Sequence, residues 1–334
     1  TWAATAKTYA DTHPNKNEAT FETIRENLKF LNATKVKTPY IKLYNVISKL
    51  NYFELKDMIL FAKETKCESV EFTLVDTMPG KTDKLLLNAA QSRELQDSAT
   101  EIARVLDDKN KYNGVILFGF QSFLRRISST SDLMKATYDR NIIDKMPCYI
   151  GWHFARVMPN GDINGCLKAH RIPTGNLHQS SFKEIWNGES QRNFRKKTLV
   201  EKKTDSFFTM IGNDPDTKEA GCYKSCDDVG RNLYIHNRIM SLTWGEKMIL
   251  KLAAKILKPK PEVRKESDPV IRGARHGSRA FAGPEQVVID VTNRCNEKCV
   301  GCWLYSPLLK KRPAAGWLKQ ELAFPETKKL IASL

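Results

Sequence analysis

The chain has 334 residues, of which 54 are Lys or Arg and 38 are Asp or Glu, so its formal charge is +16. Apolar residues make up 41% of the chain and charged residues 28%, which is typical of globular proteins and excludes a chain disordered throughout. This length is enough for two domains, no stretch approaches the roughly 20 apolar residues of a membrane span, and residues 1–20 lack the apolar run of a secretory signal.

The first 140 residues alternate between helical and strand patterns. Apolar residues at helical spacing predict helices over 20–31, 55–62 and 83–107, with Thr20 as the first N-cap. Alternating and β-branched runs predict strands over 41–47, 70–75 and 114–118. Strands that alternate with helices indicate βα units, so we expect a parallel sheet in an α/β fold.

Four cysteines lie in the middle of the chain, at Cys148, Cys166, Cys222 and Cys226. Residues 159–162 predict a turn between two short extended runs, so Cys166 comes at the end of a hairpin. Four cysteines with none to spare fit either a fully protein-ligated iron–sulfur cluster or a structural zinc site.

The surroundings of these four cysteines contain further short motifs. Gly175-Asn176-Leu177 follows the hairpin, and Ser181 begins a short helix that contains Ile185-Trp186-Asn187. The order of turn, Cys, Gly-Asn-Leu, helix and late Cys pair resembles the SPASM/twitch module, a small cysteine-rich α+β module that follows many radical S-adenosylmethionine (radical SAM) barrels. The resemblance implies one auxiliary 4Fe–4S cluster on these four cysteines.

A basic amphipathic helix is predicted over 248–257, with Lys247, Lys251, Lys255 and Lys258 along one side. Such a helix either lies on a membrane or docks on its own domain, and we favour the docked helix. Pro259 and Pro261 end it, and residues 259–284 predict a mobile basic linker.

Three more cysteines follow a β-branched run, 287–291, that predicts a strand. They form the motif Cys295-x3-Cys299-x2-Cys302. A closed zinc site or cluster takes four protein ligands, whereas three thiolates leave one iron of a 4Fe–4S cluster open for a small molecule. The alternatives from the residues alone are a zinc site with a distant fourth ligand and scattered thiols that bind no metal.

The strand and its Thr-Asn-Arg-Cys-Asn entry resemble the signature of the radical SAM superfamily. The resemblance implies that Cys295, Cys299 and Cys302 hold a 4Fe–4S cluster that chelates S-adenosylmethionine. One electron would then cleave this cofactor to methionine and a 5′-deoxyadenosyl radical, which abstracts hydrogen from a substrate. The family usually has an aromatic residue before the third cysteine; here Gly301 takes that position and Trp303 follows.

The order of these parts is the reverse of that in the family. We therefore expect a tandem fragment: 1–140 as the second half of a radical SAM partial (β/α) barrel, 141–258 as the SPASM/twitch-like module with a C-terminal helix, the linker 259–284, and 285–334 as the start of a second core. Circular permutation is the alternative. Strand 287–291 is expected to dock on the open edge of the first half-barrel, beside strand 41–47.

The remaining candidate residues receive structural roles. Cys67 precedes a strand and is expected to be a small buried apolar residue. The six histidines are expected to be surface or structural residues: His13, His153, His170, His178, His236 and His276. The positive charge is scattered over helix faces and the linker, so a nucleic-acid partner is not favoured.

These patterns together predict a cytoplasmic radical SAM oxidoreductase of the maturase type, which acts on a peptide, a protein side chain or a sugar-like metabolite. A reductant such as flavodoxin or ferredoxin would supply electrons. The fragment is not expected to hold a complete active site, and no general base or substrate ligand is assigned. The alternatives are a radical SAM enzyme that modifies RNA and a non-catalytic zinc-binding interaction protein.

Overall fold

The computed structural model describes residues 2–241, 268–310, 316 and 319–334. The helix predicted over 248–257 and the first part of the predicted linker lie outside the described residues. The chain divides into two units. Unit 1 comprises Thr1–Arg140, Tyr223–Ser225 and Arg294–Ala314. Unit 2 comprises Asn141–Cys222, Cys226–Asn293 and Ala315–Leu334.

Unit 1 contains the βα pattern. Its helices are α1 (Ala6–Thr12), α2 (Glu18–Thr34), α3 (Leu55–Glu64), α4 (Ala89–Arg104), α5 (Phe120–Ile127) and α6 (Thr130–Lys135). Its strands are β1 (Lys42–Ile47), β2 (Ser69–Leu74), β3 (Lys111–Tyr112) and β4 (Val115–Phe118). The sheet order is β1-β2-β4-β3, and β1, β2 and β4 run parallel. The predicted parallel pairing is therefore observed, and the partial barrel stays a prediction.

Two helix starts differ from their predicted positions because polar caps decide them. Helix α2 begins one residue after Asn17, whose side chain accepts a hydrogen bond from the N–H of Thr20, so Thr20 is not the cap. Helix α4 begins after Asn88, which forms a capping box with Gln91. The helix predicted over 83–107 is therefore too long at its start.

Unit 2 is built on a second four-stranded sheet. Its helices are α7 (Arg140–Ile143, at the boundary), α8 (Phe182–Asn187), α9 (Glu189–Val200), α10 (Ser206–Thr209), α11 (Val229–Met240), α12 (Pro269–His276) and α13 (Phe324–Ser333). Its strands are β5 (Phe154–Val157), β6 (Asp162–Asn164), β7 (Gly175–Asn176) and β8 (Gln286–Ile289), in the order β7-β6-β5-β8. The predicted hairpin is confirmed as β5 and β6, and the predicted helix start at Ser181 is confirmed by its capping box with Glu184.

Strand β8 does not join the sheet of unit 1, so its expected docking beside strand 41–47 was wrong. It pairs in parallel with β5, and Val157 lies opposite Ile289. Strand β8 occupies the edge of β5 that faces away from β6. Just beyond the paired residues, the Arg156 guanidinium binds the Asp290 carboxylate at 2.7 Å. A free strand edge and a matching charge therefore select this partner.

Part of the predicted linker is helical. Asp268 caps α12 by accepting hydrogen bonds from Val270 and Ile271, Pro269 stands at the first helical position, and Gly277 ends the helix in the left-handed conformation. Val270, Ile271 and Ala274 of this helix pack against the buried Trp152 and Ile235. Within the described residues, none of the helices has both the length and the apolar character that crossing a membrane requires.

Candidate metal centres

Four thiols of unit 2 line one cavity of about 30 Å³. They belong to the four cysteines predicted as one group: Cys148, Cys166, Cys222 and Cys226. None of them forms a disulfide. We refer to this site as the four-cysteine cavity. Its other walls are mostly apolar and include Ile150, Phe208 and Ile211.

The first two cysteines are placed by the hairpin and helix α9. The N–H of Cys148 donates to the carbonyl oxygen of Thr198 at 3.0 Å. Cys166 follows β6 by two residues, and its sulfur accepts the N–H of Lys168 at 3.5 Å. The residue before it must be glycine, because a Cβ on Gly165 would lie 2.5 Å from the ring of Phe194. This contact brings the end of the hairpin against α9.

The last two cysteines come from the segment before α11. The N–H of Gly221 donates to the carbonyl oxygen of Ile211 at 2.6 Å, which fixes the backbone beside Cys222. The carbonyl oxygen of Cys226 accepts the N–H of Val229 at the first residue of α11. On the same helix, the side chain of Asn232 accepts the N–H of Tyr149 at 2.6 Å. This bond ties α11 to the residue that follows Cys148.

Burial dominates the electrostatics of the four-cysteine cavity. Each cysteine residue is half-buried, and its sulfur lies behind mostly apolar walls, which disfavour the charged thiolate. The pKa of Cys222 is raised to about 12 by this desolvation first, and by the nearby Cys148 second. Burial likewise raises the pKa of Cys148, Cys166 and Cys226. Thiols in these surroundings stay protonated at neutral pH, and a bound metal centre would stabilise the thiolate forms.

The four sulfurs share a cavity without meeting at one point. Across residues 2–241, 268–310, 316 and 319–334, no three His, Cys, Asp or Glu side chains form a group that would hold a single metal ion. Their common position is shown by the cavity that they line and by the effect of each thiol on its neighbours' pKa: Cys148 raises the pKa of Cys166, Cys222 and Cys226.

The other three cysteines lie in unit 1, on a loop that we call the three-cysteine loop (294–310). Helix α1 and the turn after it hold this loop. The N–H of Val300 donates to the carbonyl oxygen of Thr12 at 3.0 Å. The side chain of Asn15 donates to the carbonyl oxygen of Asn296 at 2.8 Å and accepts the N–H of Lys298 at 2.9 Å. The bonds of Asn15 fix the backbone between the first and second cysteines, and the bond to Thr12 fixes it directly after the second.

An apolar contact places the three-cysteine loop at one edge of the first sheet. Val300 is buried against Val75 and Leu85, and Val46 packs against the same cluster. Val46 lies near the carboxyl end of β1, and Val75 directly follows β2. The loop therefore lies where parallel α/β sheets usually place their ligands.

The three sulfurs differ in exposure. Cys295 is exposed, whereas Cys299 and Cys302 are half-buried. Burial first, and then the charge of Cys302, raises the pKa of Cys299 to about 11. The sulfur of Cys302 accepts the N–H groups of Leu304 and Tyr305 at 3.4 and 3.3 Å, and the N–H of Glu297 donates to Cys295 at 3.4 Å. Such bonds to sulfur stabilise thiolates and tune the potential of iron–sulfur clusters.

Residues 148–207 match the family model of SPASM, an iron–sulfur cluster-binding domain. The match confirms the predicted SPASM-like module over these residues, and this domain implies iron–sulfur cluster binding. The match contains Cys148 and Cys166 and ends before Cys222. No curated protein and no solved structure matches the chain.

Trp2 explains why glycine precedes the third cysteine. A Cβ on Gly301 would lie 2.4 Å from Cη2 of Trp2 and 3.1 Å from Val75. The indole of Trp2 therefore occupies the space beside the loop that a side chain at this position would enter. A larger residue at position 301 would therefore require the Trp2 ring to move.

The structural roles expected for Cys67 and for two of the histidines are confirmed. Cys67 is buried in the core of unit 1, where desolvation raises the pKa of its thiol. His13 is buried and stacks on Tyr9, and His153 is buried directly before β5.

Sequence reasoning missed Lys203, which lines the four-cysteine cavity of the SPASM region. It lies in the polar run 201–205, where nothing in the spacing separates it from the exposed Lys202. Asn15, which holds the three-cysteine loop, was also missed, because its partners lie 281 and 283 residues away in the sequence.

Proposed function

We propose that this chain is part of a radical SAM enzyme. In this proposal the three-cysteine loop holds the catalytic 4Fe–4S cluster, and the four-cysteine cavity holds an auxiliary one. The match to SPASM supports the proposal, because that domain is typical of radical SAM proteins. The observation that carries it is the difference in ligand number between the two sites, since four sulfurs complete a cluster and three leave one iron open.

The four-cysteine cavity fits an auxiliary cluster by its donor set. All four donors are sulfur, none of them forms a disulfide, and their surroundings disfavour thiolates that carry no metal. In the proposal this centre relays an electron or anchors the substrate. The residues contribute four sulfur donors and a mostly apolar wall that limits the access of water.

The three-cysteine loop fits a cluster with an open iron. Its backbone N–H groups point at Cys295 and Cys302, and Asn15 and Thr12 fix the backbone around Cys299. When bound, the cluster would chelate S-adenosylmethionine and supply the electron that generates a 5′-deoxyadenosyl radical for hydrogen abstraction. The exposed Cys295 leaves this site open toward solvent, from which a cofactor can enter.

The proposed enzyme is an oxidoreductase of the maturase type. Its substrate would be a peptide, a protein side chain or a small sugar-like metabolite, and its electron donor a flavodoxin or a ferredoxin. Oxygen damages such clusters, so a reducing cytoplasm suits them.

The test is anaerobic reconstitution of the full chain with iron and sulfide. Three proteins are compared: the wild type, the triple variant C295A/C299A/C302A and the quadruple variant C148A/C166A/C222A/C226A. The measurements are iron and sulfide per chain, the electron paramagnetic resonance spectrum with and without S-adenosylmethionine, and 5′-deoxyadenosine after reduction with dithionite.

We expect each variant to lose the iron of one site and keep that of the other. S-adenosylmethionine should alter the spectrum of the wild type and the quadruple variant, and the triple variant should form no 5′-deoxyadenosine. Unchanged iron in the triple variant would contradict the proposal. A colourless protein with one zinc per cysteine group would instead support the zinc-binding alternative.

A further inference from the structure

Lys203 places a cation at the wall of the four-cysteine cavity. Its residue is only 9% exposed, although lysine is seldom buried, and it lines the cavity together with all four cysteines. Its Nζ lies 4.2 Å from the centroid of the Phe208 ring, which lines the same cavity. The neighbouring Lys202 is exposed.

Within the described part of the chain, Lys203 has no salt bridge to a carboxylate. Its charge acts instead on the cavity thiols. Desolvation raises the pKa of Cys148 and Cys222, and the Lys203 ammonium opposes that shift at both residues. The ammonium is therefore close enough to both sulfurs to interact with them electrostatically.

A buried cation is destabilising unless an opposite charge compensates it. A metal centre bound by four thiolates carries net negative charge and becomes more negative when it accepts an electron. A nearby fixed cation favours the more negative state and so raises the reduction potential.

We propose that Lys203 compensates the negative charge of the cluster in the four-cysteine cavity and sets its reduction potential. This inference rests on the proposed function only in that the cavity must hold a cluster. Lys203 makes and breaks no bond: one electron passes from an external reductant to the centre, and the lysine keeps its proton. It is thus a positioning residue that acts through charge.

The experiment uses the full chain in the C295A/C299A/C302A background, so that only the auxiliary cluster contributes to the signal. Lys203→Met removes the charge and keeps a long apolar stem, and Lys203→Arg keeps the charge. Lys202→Met removes the same charge from the exposed neighbour and is the matched control. Each reconstituted protein is titrated with dithionite and redox mediators, followed by electron paramagnetic resonance, and its iron content is measured.

We expect Lys203→Met to make reduction at least about tenfold less favourable, which is a negative shift of about 59 mV for a one-electron couple. Lys203→Arg and Lys202→Met should keep the parent potential. Loss of iron in Lys203→Met alone, with iron retained in Lys203→Arg, would also support charge compensation.

An unchanged potential in Lys203→Met would overturn the inference while leaving the cluster in place. An equal shift in Lys203→Arg or Lys202→Met, or loss of iron in both Lys203 variants, would overturn it too, because side-chain shape or distant charge would then explain the effect. Absence of iron in the parent protein would be a failure of the proposed function itself.

Discussion

The four-cysteine cavity and the three-cysteine loop both bring several sulfur atoms close together, but they do so with different parts of the chain. The cavity collects residues from 148 to 226 and holds them in an apolar enclosure of unit 2. The loop collects its sulfurs within eight consecutive positions, 295–302, and leaves Cys295 exposed. Distant residues can surround a centre completely, whereas one short loop approaches it from one side.

The two sites also differ in what supports them. The cavity depends on α9, whose Phe194 packs against Gly165, and on α11, whose Asn232 lines the cavity. The loop depends on the hydrogen bond that Val300 donates to Thr12, on the hydrogen bonds of Asn15, and on the burial of Val300. We therefore expect the cavity to respond to changes in the core of unit 2, and the loop to respond mainly to its immediate neighbours.

Thiol reactivity should distinguish the two sites most clearly. In the metal-free protein at pH 8, iodoacetamide should alkylate Cys295 at least about tenfold faster than Cys222, because Cys295 is exposed while burial raises the pKa of Cys222 to about 12. Peptide mass spectrometry over time gives the rates, with the buried Cys67 as a slow control. Equal rates at Cys295 and Cys222 would show that the cavity is open in solution.

Arg195 should be the most sensitive side chain of the scaffold around the cavity. It is fully buried and donates hydrogen bonds to the carbonyl oxygens of Gly151 and Trp186 at 2.8 and 2.9 Å. Arg195→Ala leaves these buried oxygens without a donor, so we expect the free energy of unfolding to fall by about 3 kcal/mol. Urea denaturation of the metal-free chain measures it.

The control for Arg195 is Arg192→Ala, on the exposed face of the same helix. It should change the free energy of unfolding by less than about 0.5 kcal/mol. An equal loss in the two variants would mean that the helix, and not the buried guanidinium, is responsible.

His153 should make unit 2 sensitive to acid. Burial, and secondarily Arg231, lowers the pKa of His153 to about 4, so the folded state disfavours protonation. The neutral form of His153 contributes fully to the free energy of unfolding above about pH 6.5, the ordinary pKa of histidine. This contribution is lost as the pH falls toward 4. We expect a loss of about 2 kcal/mol between about pH 7.5 and pH 5.

His153→Phe keeps a buried ring and removes the titration, so it should flatten this part of the stability curve. Urea denaturation at several pH values measures the slope. The exposed His178→Phe is the control and should leave the slope unchanged. If the free energy of unfolding of His153→Phe depends on pH as steeply as that of the wild type, His153 does not cause the acid sensitivity.

The smallest expected effect concerns the contact between Trp2 and the three-cysteine loop. Gly301→Ala should lower the free energy of unfolding by about 1 kcal/mol, because the new methyl group requires the Trp2 ring to shift. In the Trp2→Ala background the same substitution should have almost no effect. A double-mutant cycle measures this coupling. Equal effects of Gly301→Ala in both backgrounds would mean that the two residues do not interact.

Local signals in the sequence predicted the local structure well. The strands at 42–47, 69–74 and 115–118 lie within one residue or so of their predicted limits, and the turn before Asp162 and the cap at Ser181 are also observed. Periodicity and turn residues depend on near neighbours, which the sequence displays directly.

Partners that are distant in sequence were harder to predict. Strand β8 was expected beside β1 because an unpaired strand edge attracts another strand, but it pairs instead with β5, where Arg156 binds Asp290. The four cysteines that were predicted as one group do line one cavity, and they could be grouped because thiols are few and their spacing is distinctive. Lysines are common in this sequence, so the position of Lys203 does not distinguish it from the others. Its burial in the structure does.

The hydrogen bonds between Asn15 and the three-cysteine loop have a consequence for the order in which the two sites form during synthesis. Its partner Asn296 leaves the ribosome 281 residues later, long after every residue that lines the four-cysteine cavity has been made. During synthesis, the four-cysteine cavity can therefore form before the residues of the three-cysteine loop have been made. In the proposed function, iron would reach the four-cysteine cavity before the three-cysteine loop.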